Sequence, residues 1–128
     1  MTTKKTKLEL DSLSKAVRIA QTADAAKAEN IVVLDVRGLS SVADFFVIFT
    51  GTSQTHLRSI GKRLDEELSK EGVEVERVDG RHSTNWIVFD YGSVIAHAMM
   101  DETRRFYDLE RLWGDAPLVA WQPNENQI

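Results

Sequence analysis

The chain has 128 residues, 42% of them hydrophobic and 28% charged, the balance of one ordinary globular domain. A domain of that length buries roughly 65–70% of the surface its unfolded chain exposes, so its core needs no covalent or metal staple; with no cysteine at all, disulfide scaffolds, thiolate zinc sites and cysteine nucleophiles are excluded. Sixteen basic against twenty acidic residues give a net charge of −4, which disfavours coating of nucleic acid or anionic lipid.

Lys4, Lys5 and Lys7 form a basic tip without the apolar run of a signal peptide. No apolar stretch reaches the roughly eighteen residues that a membrane span requires, so a cytoplasmic location without membrane contact is expected. From Leu10, apolar positions at Leu13, Val17 and Ala20 lie on one helical face; Asp11 or Ser12 caps its start, and Asn30 takes the left-handed position beyond its end. Ile31 to Val36 is apolar at almost every place and rich in β-branched residues, which predicts a central strand covered on both faces. Phe45 to Thr50 reads as a second buried strand. Thr52 and Ser53 then precede an amphipathic helix with Leu57, Ile60, Leu64 and Leu68 inside and Gly72 at C′.

Val73-Glu74-Val75-Glu76 alternates, as a short strand near the sheet edge does. Asp79 to Thr84 is a polar loop. Asn85 to Asp90 and Val94 to Met100 form an antiparallel hairpin; a loop of Tyr91 and Gly92 sets Trp86 opposite His97 and Val88 opposite Ile95. Asp101 or Thr103 caps a last helix whose spacing turns Phe106, Leu109 and Trp113 inward, ending at Gly114. Leu118 to Trp121 adds an extended piece before a polar end that holds Pro123. The division expected is a flexible tip over 1–9, one domain over 10–118 and a C-terminal tail over 119–128.

Chemistry is sparse. His56, His82 and His97 lie on three different elements without the paired spacing of metal ligands, so no metal site is expected. His97 stands among apolar neighbours, where it is either a satisfied half-buried histidine or a binding residue. Gly51-Thr52-Ser53 lacks the second glycine of a serine nucleophile turn, and helix capping explains Ser53 more simply. Between strand and helix the same turn is similar to the phosphate-receiving turn of nucleotidyltransferases. Those enzymes need two close acids on the following strand to hold metal ions, and here Asp65, Glu66 and Glu67 fall on a helix while Asp90 stands alone. A nucleotidyltransferase-like fold lacking its catalytic acids is the better reading, with an enzyme using Gly51-Thr52-Ser53 as the alternative. Trp86, Tyr91, Tyr107 and Trp113 mixed with Asp90, Asp108, Glu110 and Asp115 have the composition of interface anchors ringed by acids, although each aromatic is also a candidate for core. Direct RNA binding is a weaker third reading.

Asp35-Val36-Arg37, the run Ala43-Asp44-Phe45-Phe46-Val47-Ile48 leading to Gly51-Thr52-Ser53, the run from Trp86 to His97, and Arg105 to Ala116 together resemble the ribosome silencing factors, also called Iojap-like proteins. The resemblance extends from about Leu13 to Leu118; Phe46 stands where tyrosine is frequent and Ser93 where an acid is frequent. It implies a single α/β domain with a mixed sheet and flanking helices, no catalysis and no cofactor. It further implies a translation repressor that binds the large ribosomal subunit through its fourteenth protein, blocks joining of the small subunit when nutrients run short, and forms a homodimer when free, with organellar relatives serving large-subunit assembly. Direct DNA binding is not expected. The partner-binding residues this implies are Trp86, Asp90, His97, Tyr107, Asp108, Leu109, Glu110, Leu112, Trp113 and Asp115, docking on a basic protein while RNA repels the acidic domain.

Overall fold

The computed structural model describes residues 11–80 and 85–122. Its elements are α1 (Ser12–Ala25), β1 (Glu29–Asp35), β2 (Phe45–Gly51), α2 (Gln54–Ser69), β3 (Arg77–Asp79), β4 (Trp86–Asp90), β5 (Val94–Met100), α3 (Asp101–Tyr107) and α4 (Leu109–Leu112). The strands form one mixed sheet in the order β1-β2-β5-β4-β3, in which only the β2–β5 pair is parallel. This is the α/β domain with a mixed sheet and flanking helices that the sequence predicts. The polar loop residues 81–84, including His82, and the two chain ends lie outside the described residues.

Every residue of β2 is buried, as a run without a polar face requires. One face of the sheet, with Val33, Phe45, Val47, Phe49, Ile87, Phe89, Val94, Ala96 and Ala98, packs under α1 and α2. From α2 come Leu57, Ile60, Leu64 and Leu68, all fully buried on one stripe; each contributes about 1.5–3 kcal/mol by leaving water. Ser53 caps the helix by accepting from the His56 amide at 3.0 Å. Gly72, at φ 80°, closes it, with Val73 N–H donating to Leu68 and Gly72 N–H to Ser69.

The other helix departs from its pattern. Asp11 caps α1, its side chain accepting from Ser14 N–H at 2.8 Å, but the buried face is Ala16, Ile19, Ala20 and Ala23, while Leu13 is exposed. Three small side chains let the helix axis approach the layer below it, with Ile19 the large one on that face and Leu13 left outside. The helix also stops at Ala25, and Lys27 takes the left-handed conformation at φ 72°. Asn30 is left-handed too, at φ 50°, but inside β1, where the register against β2 shifts between Glu29 and Val32.

β1 is not central; it is the edge strand beside β2. Its outer edge is covered by the chain's own end: Asp35 N–H donates to Pro117 O at 2.9 Å and Val119 N–H to Val33 O at 2.8 Å. Trp121 packs on the helix-side core, its Nε1 donating to Ile31 O at 3.3 Å while Gln21 Nε2 donates to its carbonyl at 3.0 Å. The packed body therefore runs through Trp121, beyond Leu118. β3 is an edge strand as expected but begins at Arg77, with Val73 to Glu76 forming the approach to it. In the β4–β5 hairpin the two-residue loop is Gly92 and Ser93, because Gly92 adopts φ 85° and Tyr91 N–H closes on Val94 O. Trp86 accordingly faces Met99, and Val88 faces His97.

Ending the chain at Leu118 should cost about 3 kcal/mol in urea unfolding, since it removes an indole from the core and two hydrogen bonds from an edge strand. A loss below about 0.5 kcal/mol, the range of ordinary surface changes, would mean that the segment is a passive tail.

Candidate partner-docking face

The sheet face opposite α1 and α2 carries Leu34, Phe46, Ile48 and Met99 at its centre, with Val32, Trp86, Ile95, Leu109 and Trp113 partly buried around them. Only short segments cover it. After β5 the chain enters α3, breaks at Asp108 with φ 47°, and resumes as α4. The single inward helical face expected for Phe106, Leu109 and Trp113 is cut by that break: Leu109 and Trp113 turn in, and Phe106 is left 79% exposed. Met100 occupies the N-cap position of α3 without a side-chain bond, so neither Asp101 nor Thr103 has the capping role. The broken ridge is pinned by Arg104, which is buried; its Nη1 donates to Thr50 Oγ1 at 2.9 Å and its Nη2 to Glu110 Oε2 at 2.7 Å.

Five rings tile the layer between ridge and sheet. Phe46 meets His97 and Trp113 edge to face, both at 5.3 Å, and Trp86 lies 5.9 Å from His97 and 4.8 Å from Tyr107. Trp86 Nε1 donates to His97 Nδ1 at 3.2 Å. An indole N–H only donates, so His97 holds its proton on Nε2 and is neutral. Burial pushes its pKa down to about 4.

Of the ten expected partner-binding residues, all lie on this face or on the ridge beside it. Their environments differ. Trp86, His97, Leu109 and Trp113 are half-buried and make the layer; Tyr107, Asp108, Leu112 and Asp115 are exposed. Asp90 accepts from Gly92 N–H at 2.8 Å and shapes the hairpin turn, and Glu110 is committed to Arg104. Asp108 and Asp115 are thus the two expected acids without such a commitment, and the exposed Arg105 and Arg111 share the ridge with them. The surface is mixed in charge. Sequence reasoning missed Phe46, Arg104 and the exposed Phe106 and Leu118; Phe46 had a signal in its all-apolar strand, whereas a buried arginine has none.

The Gly51-Thr52-Ser53 turn is closed on itself. Thr52 N–H donates to His56 Nδ1 at 2.9 Å, His56 Nε2 meets Ala26 O at 2.9 Å, and Ser53 receives the His56 amide. A Cβ on Gly51 would lie 2.5 Å from Leu57 Cδ2, so close packing of α2 accounts for the glycine. Glu29, Asp101 and Glu102 line a nearby cavity of about 450 Å³, but among the described residues no group of three or more His, Asp or Glu could hold a metal ion. Two backbone donors at the turn, the Thr52 and His56 N–H groups, are already engaged. No helix among the described residues is long and apolar enough to cross a membrane.

Residues 9–127 match the family described as "Ribosomal silencing factor during starvation". The chain belongs to this family. A ribosomal silencing factor from Halalkalibacterium halodurans is 38% identical over 96 residues, 75% of this chain and 82% of that protein. The crystal structure of a Chromobacterium violaceum protein superposes with a TM-score of 0.79 at 26% identity, covering 82% of this chain and 88% of that one. A mouse relative, named mitochondrial assembly of ribosomal large subunit protein 1, is 33% identical over 89 residues, 67% of this chain and 39% of that protein. The ribosomal silencing factor family is one of ribosome-associated regulators.

Histidine 97 makes the layer pH-dependent. Its pKa falls from 6.5 to about 4 on folding, so the unfolded chain binds more protons within that window; the stabilisation is complete above pH 6.5 and lost as pH falls. Between pH 6.5 and 5 the loss should reach about 2 kcal/mol. Urea unfolding of the wild type and of His97→Asn, which keeps an acceptor for Trp86, checks this: the variant should lack that part of the slope, and identical slopes would refute the assignment.

Proposed function

We propose that this chain is a repressor of translation that docks on the large ribosomal subunit through its fourteenth protein and keeps the small subunit away. Family membership and the large-subunit role in the mouse relative's name support the ribosomal target. The observation that carries the docking face is a run of apolar side chains in water: Phe106 at 79%, Leu112 at 72% and Tyr107 at 52% exposure, on a ridge backed by packed rings. Exposed aromatic and leucine side chains on a rigid support are the anchors that protein interfaces use, and a rim of both charges fixes orientation more than it adds affinity.

Nothing in this mechanism needs chemistry. A folded body of this size, seated where two large surfaces meet, prevents their approach by its volume, with no reaction at the Gly51-Thr52-Ser53 turn. The free protein has the same apolar ridge to cover, and a second copy is the occupant we assign to it there; ribosomal docking would then compete with the homodimer.

Leu112→Glu places a charge in the ridge without touching the core. It should weaken cosedimentation with purified large subunits about 30-fold, the scale of an interface hot spot, while stability stays within about 0.5 kcal/mol. Unchanged cosedimentation of the variant, or wild-type protein found only with small subunits, would overturn the reading.

A further inference from the structure

On the opposite side of the molecule, α1 and α2 leave part of the sheet uncovered. Between α2 and strands β3 and β4 lies a cavity of about 400 Å³, within the range of small-molecule sites. Its floor is apolar, made by Val75, Val78, Ile87 and Phe89, and its α2 wall carries Arg58, Lys62 and Asp65. The floor is held by a close contact: a Cβ on Gly61 would lie 2.5 Å from Phe89 Cζ, so the glycine lets that ring lie against the helix.

Two observations mark the cavity as more than a packing gap. Tyr91, 2% exposed, lines it, and its buried hydroxyl has no hydrogen-bond partner. A buried hydroxyl without a partner is destabilising, and a ligand that meets it removes that cost. Arg58 and Lys62, one helical turn apart, form no salt bridge among the described residues. Burial and the nearby charges of Asp65 and Glu74 raise the Tyr91 pKa, so the hydroxyl keeps its proton.

We propose that this cavity binds a small aromatic anion, with its ring on Val75, Val78, Ile87 and Phe89, its charge toward Arg58 and Lys62, and a polar ring substituent on Tyr91 Oη. Asp65 is an acceptor in the same wall, so the ring substituent it favours is a donor such as a ring N–H. The site lies on the other side of the sheet from the ring layer and is independent of ribosomal docking.

A matched set of probes separates the parts. Amide chemical shifts of the full chain are followed during titration with indole-3-acetate, 1-naphthaleneacetate, which lacks the ring N–H, and indole-3-ethanol, which lacks the charge. Indole-3-acetate should move the Gly61, Val75, Val78, Ile87 and Tyr91 amides saturably; 1-naphthaleneacetate should bind about fivefold more weakly for one lost hydrogen bond, and indole-3-ethanol more weakly for the lost charge. Tyr91→Phe should remain folded, with a melting temperature no lower than wild type, and bind indole-3-acetate about fivefold more weakly. Lys62→Glu should abolish the preference for the acid over the alcohol. No shifts at millimolar indole-3-acetate, shifts centred on Trp86 and Trp113 instead, or affinities unchanged in both variants would overturn the proposal.

Discussion

Arg104 keeps a full charge with only 8% of its surface exposed, and removing a cation from water costs several kcal/mol unless its donors are satisfied. They are satisfied from two directions, by Thr50 on β2 and by Glu110 on α4. That pairing ties the ridge to β2, the strand buried along its whole length. Glu110 can reach the guanidinium only if the chain turns sharply after α3, and Asp108 supplies the turn in a left-handed conformation that costs a non-glycine residue energy. Leu109 and Trp113 then fall on the sheet, and Phe106 falls outside.

The two sides of the sheet are consequently different materials. Under α1 and α2 the core is a thick mixture of aliphatic side chains with the rings of Phe45, Phe49, Phe89 and Tyr91, closed except beside β3 and β4. On the other side the layer is aromatic, one ring deep, and bounded by short elements that leave apolar surface in water. A stiff layer beneath exposed anchors is what a docking surface needs, because little conformational freedom remains to be lost on binding. The neutral His97 belongs to that stiffness: its ring accepts from Trp86 and packs on Phe46.

Where local pattern and burial coincide, the sequence was enough. The leucine stripe of α2, its Ser53 cap and the all-buried β2 follow from spacing and composition alone, and the site residues gathered by motif lie together on one face. What was not legible depends on distant partners. Ile31 to Val36 announces cover on both faces but not whether a strand lies on each side, and the cover at its edge comes from residues 117–119. The alanine face of α1 is weaker in hydropathy than Leu13 and Val17, yet close approach favours it. The helix break at Asp108 accompanies the salt bridge of Glu110 to Arg104, which no periodicity reveals, and the hairpin register turned on whether Gly92 opens or ends its loop.

A regulator that acts by occupying a surface stands or falls with where it is seated. Backbone amide hydrogen exchange of the chain, free and saturated with purified large subunits, locates that seat. Protection should rise at 104–115 and at the Trp86 and His97 positions, with the α1 and α2 amides unchanged. Protection confined to α1, α2 or the β3 edge would place the partner on the wrong side of the sheet and contradict the docking face described above.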